Sequence, residues 1–299
     1  MRRWIRFGLL GTAGLLVVVV AAVAAAVWRG GHRLTETRQV PVATIRLPVD
    51  GAALARGQYL FRTIGCAGCH GESGAGRVLW DGGRSVLRSP QIAPGRSSAI
   101  TGYGADDWVR AVRHGVGRNG HALLSMPSVD YQALSDADLG AIAAHVTGLP
   151  AIDAQPLRHS IGWTLRALIG AGVVPLAPDR LVPGVRPSPE RQAAATADWG
   201  AYVAQTCVGC HGHRLNGGRI AGMPPGTPAA ANLTSASDGA MARYPTLADF
   251  QAMLKTGRRP DGTTVALMPF ESLARLDATD TAALYLHLKR LPAVPTGTR

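Results

Sequence analysis

Aromatic residues, acidic residues and cysteine are all scarce in this sequence. Phe, Trp and Tyr make up 5% of the 299 residues, too few for two ordinary cores. Nineteen Asp and Glu stand against 31 Lys and Arg, a formal charge of +12. The basic residues are scattered and form no polybasic run, which points away from nucleic acid and toward an acidic protein face or an anionic membrane surface. No long alternating strand pattern is present, so an extended half-buried sheet is excluded. The four cysteines all fall inside two pentapeptides, leaving none for a disulfide or a thiolate nucleophile. What is plentiful is Gly (37) and Pro (20), the composition of loop-rich domains wrapped around something large.

The two pentapeptides are Cys66-Ala67-Gly68-Cys69-His70 and Cys207-Val208-Gly209-Cys210-His211. Cys-x-x-Cys-His is the attachment sequence for c-type haem. One helical turn brings both sulfurs to one porphyrin edge and swings the histidine beneath its face. Two covalently attached haem c groups are therefore expected, on Cys66, Cys69 and His70 and on Cys207, Cys210 and His211. They would also supply the missing apolar bulk. A tetrahedral zinc site from the two Cys-x-x-Cys pairs is the alternative. The histidine following each pair, and their place in separate repeats, argue against it.

The N-terminus carries Arg2, Arg3 and Arg6, then Phe7 to Trp28 without a charge. These 22 residues exceed the roughly 20 that span a bilayer. Small-residue sites such as Ala24-Ala25-Ala26 fit a cleaved signal peptide, but the run is longer than a signal core, which favours a retained anchor. The arginines place the N-terminus in the cytoplasm and the rest outside. Residues 1–30 read as the anchor and 31–50 as a stalk.

The remainder repeats. Gly57-Gln58-Tyr59-Leu60-Phe61 precedes the first motif as Asp198-Trp199-Gly200-Ala201-Tyr202 precedes the second, at an offset of 141. Downstream the offset is 142: Trp108 meets Phe250, Gly115 meets Gly257, Met126-Pro127 meets Met268-Pro269, and His145 meets His287. One architectural unit is used twice, at 51–152 and 190–299. Each reads as helical. Ser135 caps a helix with apolar spacing at Leu139, Ile142 and Val146, stopped by Pro150. Residues 153–189 are a proline-rich linker, within which Ile161 to Val174 is apolar enough to pack on a domain or partner. Arg158 and Arg166 argue against a second span.

A haem iron with one imidazole needs its sixth position open or closed by Met or His. Met126 and Met268 each precede proline and the last helix of a unit, and are the expected axial ligands opposite His70 and His211. Their thioethers suit ferrous iron. Core filling is the bland alternative. Met223, before Pro224, is the rival in the second unit, with Met241 and Met253 behind it.

The order of N-terminal helix, Cys-x-x-Cys-His, late Met-Pro and closing helix resembles class I cytochromes c, over residues 51–152 and 190–295. The resemblance implies an all-α protein of two tandem class I domains after one transmembrane helix. Gly57 to Leu60, Asn119-Gly120, Ser125-Met126-Pro127 and Asn232-Leu233-Thr234 are also similar to cytochrome c subunits of bacterial membrane-bound dehydrogenases. Such subunits often carry three haem units, and here there are two. Ala99-Ile100-Thr101 stands where the first unit's Asn-containing loop is expected. In the family a proline carbonyl fixes the ligand imidazole, which makes Pro90, Pro94, Pro225 and Pro228 candidates. Arg77, Arg84 and Arg219 could meet haem propionates or be surface residues. His145 and His287 read as packing residues.

The resulting expectation is an electron-transfer protein and not an enzyme. It sits in the bacterial inner membrane with periplasmic haem domains. It takes electrons from a dehydrogenase subunit and passes them to a cytochrome, quinone or oxidase. A peroxidase-like diheme enzyme needs one haem to open its sixth position, and two methionine ligands argue against that.

Overall fold

The computed structural model describes residues 2–153 and 155–297. Helix α1, Arg2–Thr35, is a single long helix. Its stretch Leu9–Thr35 is long and apolar enough to cross a membrane. The first unit follows with α2 (Gly51–Thr63), α3 (Cys66–His70), strands β1 (Arg77–Asp81) and β2 (Val86–Ser89), α4 (Ala105–His114) and α5 (Asp136–Thr147). Helix α6 (Trp163–Gly170) lies in the connecting segment. The second unit holds α7 (Ala197–Val203), α8 (Val208–His211), α9 (Leu247–Thr256), α10 (Phe270–Leu273) and α11 (Ala278–Arg290).

The helix boundaries obey their local chemistry. The Ser135 hydroxyl accepts from Asp138 N at 3.1 Å to start α5, and Thr246 does the same for α9 from Asp249 N at 3.1 Å. Helices α4 and α9 stop at Gly115 and Gly257, with φ of 65° and 69°. In each unit the first helix packs across the last, α2 on α5 and α7 on α11. Glycine makes both crossings close. A Cβ on Gly57 would lie 2.0 Å from Ala141 O, and one on Gly200 would lie 1.9 Å from Ala283 O. Phe61, Trp108, Leu139 and Val146 fill one core. Phe250, Met253, Leu284 and Leu288 fill the other.

These crossings correct the repeat. Gly57 corresponds to Gly200 and Tyr59 to Tyr202, an offset of 143 in the leading helices and not 141. The first unit has two more residues between its leading helix and its cysteines. The all-α expectation also needs amending, since β1 and β2 pair antiparallel with a bulge between Val78 and Trp80. Strands of five and four residues are too short for alternation to stand out.

The expected stalk is no free spacer. Helix α1 runs on to Thr35, Thr37 pairs with His121, and Ile45 is buried in the first core. Helix α6 packs on α1. A third small cluster, of Ala122, Ile169 and Leu176 with Leu34 and Leu124 against it, joins them to the first unit.

Candidate haem-binding sites

The first Cys-x-x-Cys-His segment forms one short helix, whereas in the second Cys207 closes a 3-10 turn and only Val208–His211 form α8. His70 ends α3 and His211 ends α8. The His70 Nδ1 lies 2.9 Å from Pro90 O, and the His211 Nδ1 lies 2.8 Å from Ala231 O. A carbonyl can only accept, so both Nδ1 atoms carry the proton and both Nε2 atoms carry the lone pair a metal needs. Burial lowers the His70 pKa, against the bond to Pro90, and so favours the neutral ligand form. Of the four candidate prolines, only Pro90 has this role. Ala231 fills it in the second unit, 20 residues after the histidine in both cases.

No disulfide joins the four cysteines. Burial pushes Cys66 and Cys207 up to about 12. Among the described residues, no group of three or more His, Cys, Asp or Glu side chains converges to hold a metal. The zinc alternative therefore finds no shared site.

The two Met-Pro loops have the same backbone. Ser128 N donates to Met126 O and Phe270 N to Met268 O, both at 2.9 Å. Pro127 and Pro269 share φ near −80° and ψ of 56° and 65°. Both methionines are half-buried and stand outside the apolar cluster that takes up Met241 and Met253. Met223 is 37% exposed in a surface loop.

Haem c would be held by these cysteines and histidines, and one buried atom tests the fit. Trp108 lies in the same cluster as Cys66, and its Nε1 is buried without a hydrogen-bond partner. A buried N–H left unpaired is costly. A group carrying carboxylates, as haem does, would satisfy it. The residues present fit.

Several contacts around the motifs were not visible beforehand, including that of Arg77, a propionate candidate. Arg77 Nη1 donates to Gly68 O at 2.6 Å. At the matching position of the second motif, Arg180 from the connecting segment donates to Gly209 O at 2.7 Å. Asp130, just past the first Met-Pro, accepts from Gly209 N at 2.5 Å. Burial raises its pKa to about 7, against the pull of that N–H and of Arg180. Its neighbour Tyr131 donates to Ile64 O at 2.8 Å, beside the first motif. Asp130 thus reaches the second motif and Tyr131 the residue two before the first.

A second link is two-fold in pattern. Tyr59 of the first unit donates to Asp280 of the second at 2.6 Å and accepts from Asp277 N at 3.2 Å. Tyr202 donates to Asp138 of the first unit at 2.6 Å and accepts from Ser135 N at 3.1 Å. Arg56 pairs with Asp138 at 2.9 Å, where its counterpart Trp199 donates to Asp280 at 2.5 Å. The units are therefore joined through corresponding residues of their first and last helices.

The Asn232 loop is also resolved. Asn232 Nδ2 donates to Val294 O at 2.8 Å, and Gln91 Nε2 donates to Ile152 O at 2.7 Å. Gln91, not Ala99-Ile100-Thr101, is the first-unit counterpart. It stands 141 residues before Asn232, the motif offset, so the signal was present in the sequence. Arg84 lies in the exposed turn between the strands and Arg219 in a surface loop. His145 packs its ring on Phe61, with centroids 5.4 Å apart.

Residues 52–146 match the family model described as cytochrome c oxidase, cbb3-type, subunit III. The gluconate 2-dehydrogenase cytochrome c subunit of Pantoea cypripedii is 35% identical over 39% of this chain and 28% of its own length. The alcohol dehydrogenase (quinone) cytochrome c subunit of Gluconobacter oxydans (strain 621H) is 26% identical over 83% of this chain and 56% of its own. A diheme cytochrome c-type protein of Cereibacter sphaeroides is 27% identical over 95% and 98%. The chain thus spans 28% and 56% of the two dehydrogenase subunits. It carries a cytochrome c domain and is similar to cytochrome c subunits of membrane dehydrogenases.

Proposed function

We propose that this chain is a membrane-anchored diheme c-type cytochrome that carries electrons in the periplasm. Its donor is a membrane-bound dehydrogenase and its acceptor a cytochrome, quinone or oxidase of the respiratory chain. The observation that carries the reading is the duplicated ligand frame. Two histidines have Nδ1 bonded to a carbonyl, and two Met-Pro loops share one backbone geometry. In this reading residues 51–152 and 190–299 are two cytochrome c domains. His70 with Met126 and His211 with Met268 hold the irons, and the four cysteines hold the porphyrins. Bound haem supplies one-electron exchange, and two methionine thioethers keep both irons closed to small ligands. The protein's own part is to fix the imidazole tautomers and exclude water. The exposed apolar surface of α1 supports an anchor in the inner membrane, and the arginines at its start favour a cytoplasmic N-terminus. The names of the dehydrogenase relatives support the donor.

The test is near-infrared magnetic circular dichroism of ferric protein matured with its haem-attachment machinery. Two haems per chain, both with the methionine-to-iron charge-transfer signal, are expected. Met126→Ala and Met268→Ala should each remove half of it. A high-spin haem, or rapid cyanide binding by the unaltered protein, would overturn the closed-site reading in favour of an enzyme.

A further inference from the structure

We infer that α6 and the turn after it form a second membrane contact, lying in the headgroup layer of the bilayer that α1 crosses. This rests on the anchor reading above and adds to it. The helices meet through glycine on both sides: a Cβ on Gly30 would lie 1.8 Å from Arg166 O, and one on Gly170 would lie 1.9 Å from Ala26 O. Such close backbone approach fixes their relative position. Along α6 from Arg166 to Gly170, the contact moves down α1 from Gly30 to Ala26, into the apolar run that ends at Trp28. The end of α6 is therefore level with the bilayer surface.

The inner face of α6 is already covered, because Ile169 is fully buried in the cluster shared with Leu176 and Ala122. The outer face is apolar and open. Trp163 is 53% exposed, Leu168 43% and, past the helix end, Val173 59%. On an isolated domain such residues would be a liability. Beside a span they extend the surface of Trp28, itself 73% exposed, with tryptophans at the depth they favour. Arg29 and Arg166, both exposed, stand where lipid phosphates would be. Lipid is the occupant because α1 brings the bilayer to this face. The cluster also holds Leu124, two residues before Met126, so the first unit is the membrane-proximal one.

The experiment places a nitroxide at Leu168→Cys, with Val18→Cys and Lys255→Cys as references. The full chain carries both haems, with the irons reduced to remove their paramagnetism, in phosphatidylethanolamine and phosphatidylglycerol vesicles. Relaxation by oxygen and by a water-soluble nickel chelate reads depth. The Leu168 label is expected between the two references, with oxygen favoured several-fold over its ratio at Lys255. A Leu168 label as water-exposed as Lys255, with Val18 in the bilayer, would overturn the inference and leave the anchor intact. Protection from both reagents would also overturn it, by showing protein on this face. A water-exposed Val18 label would remove the anchor reading and this one with it.

Discussion

Asp130 is the residue whose surroundings depart furthest from its local sequence. Nothing in Pro127-Ser128-Val129-Asp130 marks a half-buried, desolvated carboxylate, yet its pKa is raised to about 7, chiefly by burial. The native state then holds the Asp130 proton more tightly than the unfolded chain. The associated stability is complete below the ordinary aspartate value near 3.8 and is lost as pH rises through about 7. The steepest fall for one proton is about 1.4 kcal/mol per pH unit. Asp130→Asn keeps an acceptor for Gly209 N and removes the titration. Urea unfolding across this range should show a downward trend with pH in the wild type that Asp130→Asn lacks. Equal slopes would mean that Asp130 is ionised throughout. The proposed haem-binding residues are the opposite case: Cys66, Cys69, His70 and their second copies are legible because their pattern is a local spacing that no fold can alter.

Among the elements, the crossings of α2 on α5 and of α7 on α11 carry a paired prediction. Gly57→Ala and Gly200→Ala each drive a methyl to within 2.0 Å of a backbone carbonyl. Backbone cannot rotate away as a side chain can, so each substitution should cost about 1–3 kcal/mol. Gly51→Ala meets nothing within 4 Å and should be neutral or gain a few tenths of a kcal/mol from helix propensity. Thermal unfolding of the three variants compares them directly. The start of α5 was readable at Ser135 because a cap is set within one turn. The two-residue offset of the leading helix was not. Gly57 and Gly200 are matched by what they pack against, and that partner lies more than 80 residues away in the chain.

At the scale of the molecule, two tyrosine–aspartate pairs join the units through corresponding residues. A hydrogen bond to a charged partner contributes about 1.5–3 kcal/mol. Tyr59→Phe and Tyr202→Phe should each destabilise by an amount in or below that range. The double variant should split one calorimetric transition into two, because the remaining polar contacts between units no longer couple their unfolding. A single transition in the double variant would place the coupling elsewhere, with the Asp130 contact to Gly209 as the next candidate.

The sequence by itself determined the two Cys-x-x-Cys-His segments, the apolar run within α1, the ends of α5 and the presence of a repeat. Each follows from spacings within a few turns, or from one segment matching another. Tertiary structure alone decided that Pro90 but Ala231 receive the two imidazoles, that Arg180 of the linker grips the second motif, and that Asp130 reaches Gly209. It also decided that α6 lies on α1. These contacts join residues from 20 to 144 positions apart. Carbonyls, arginines and carboxylates are abundant in any chain of this length. Which of them meet is set by how the helices pack, and no local pattern encodes that choice.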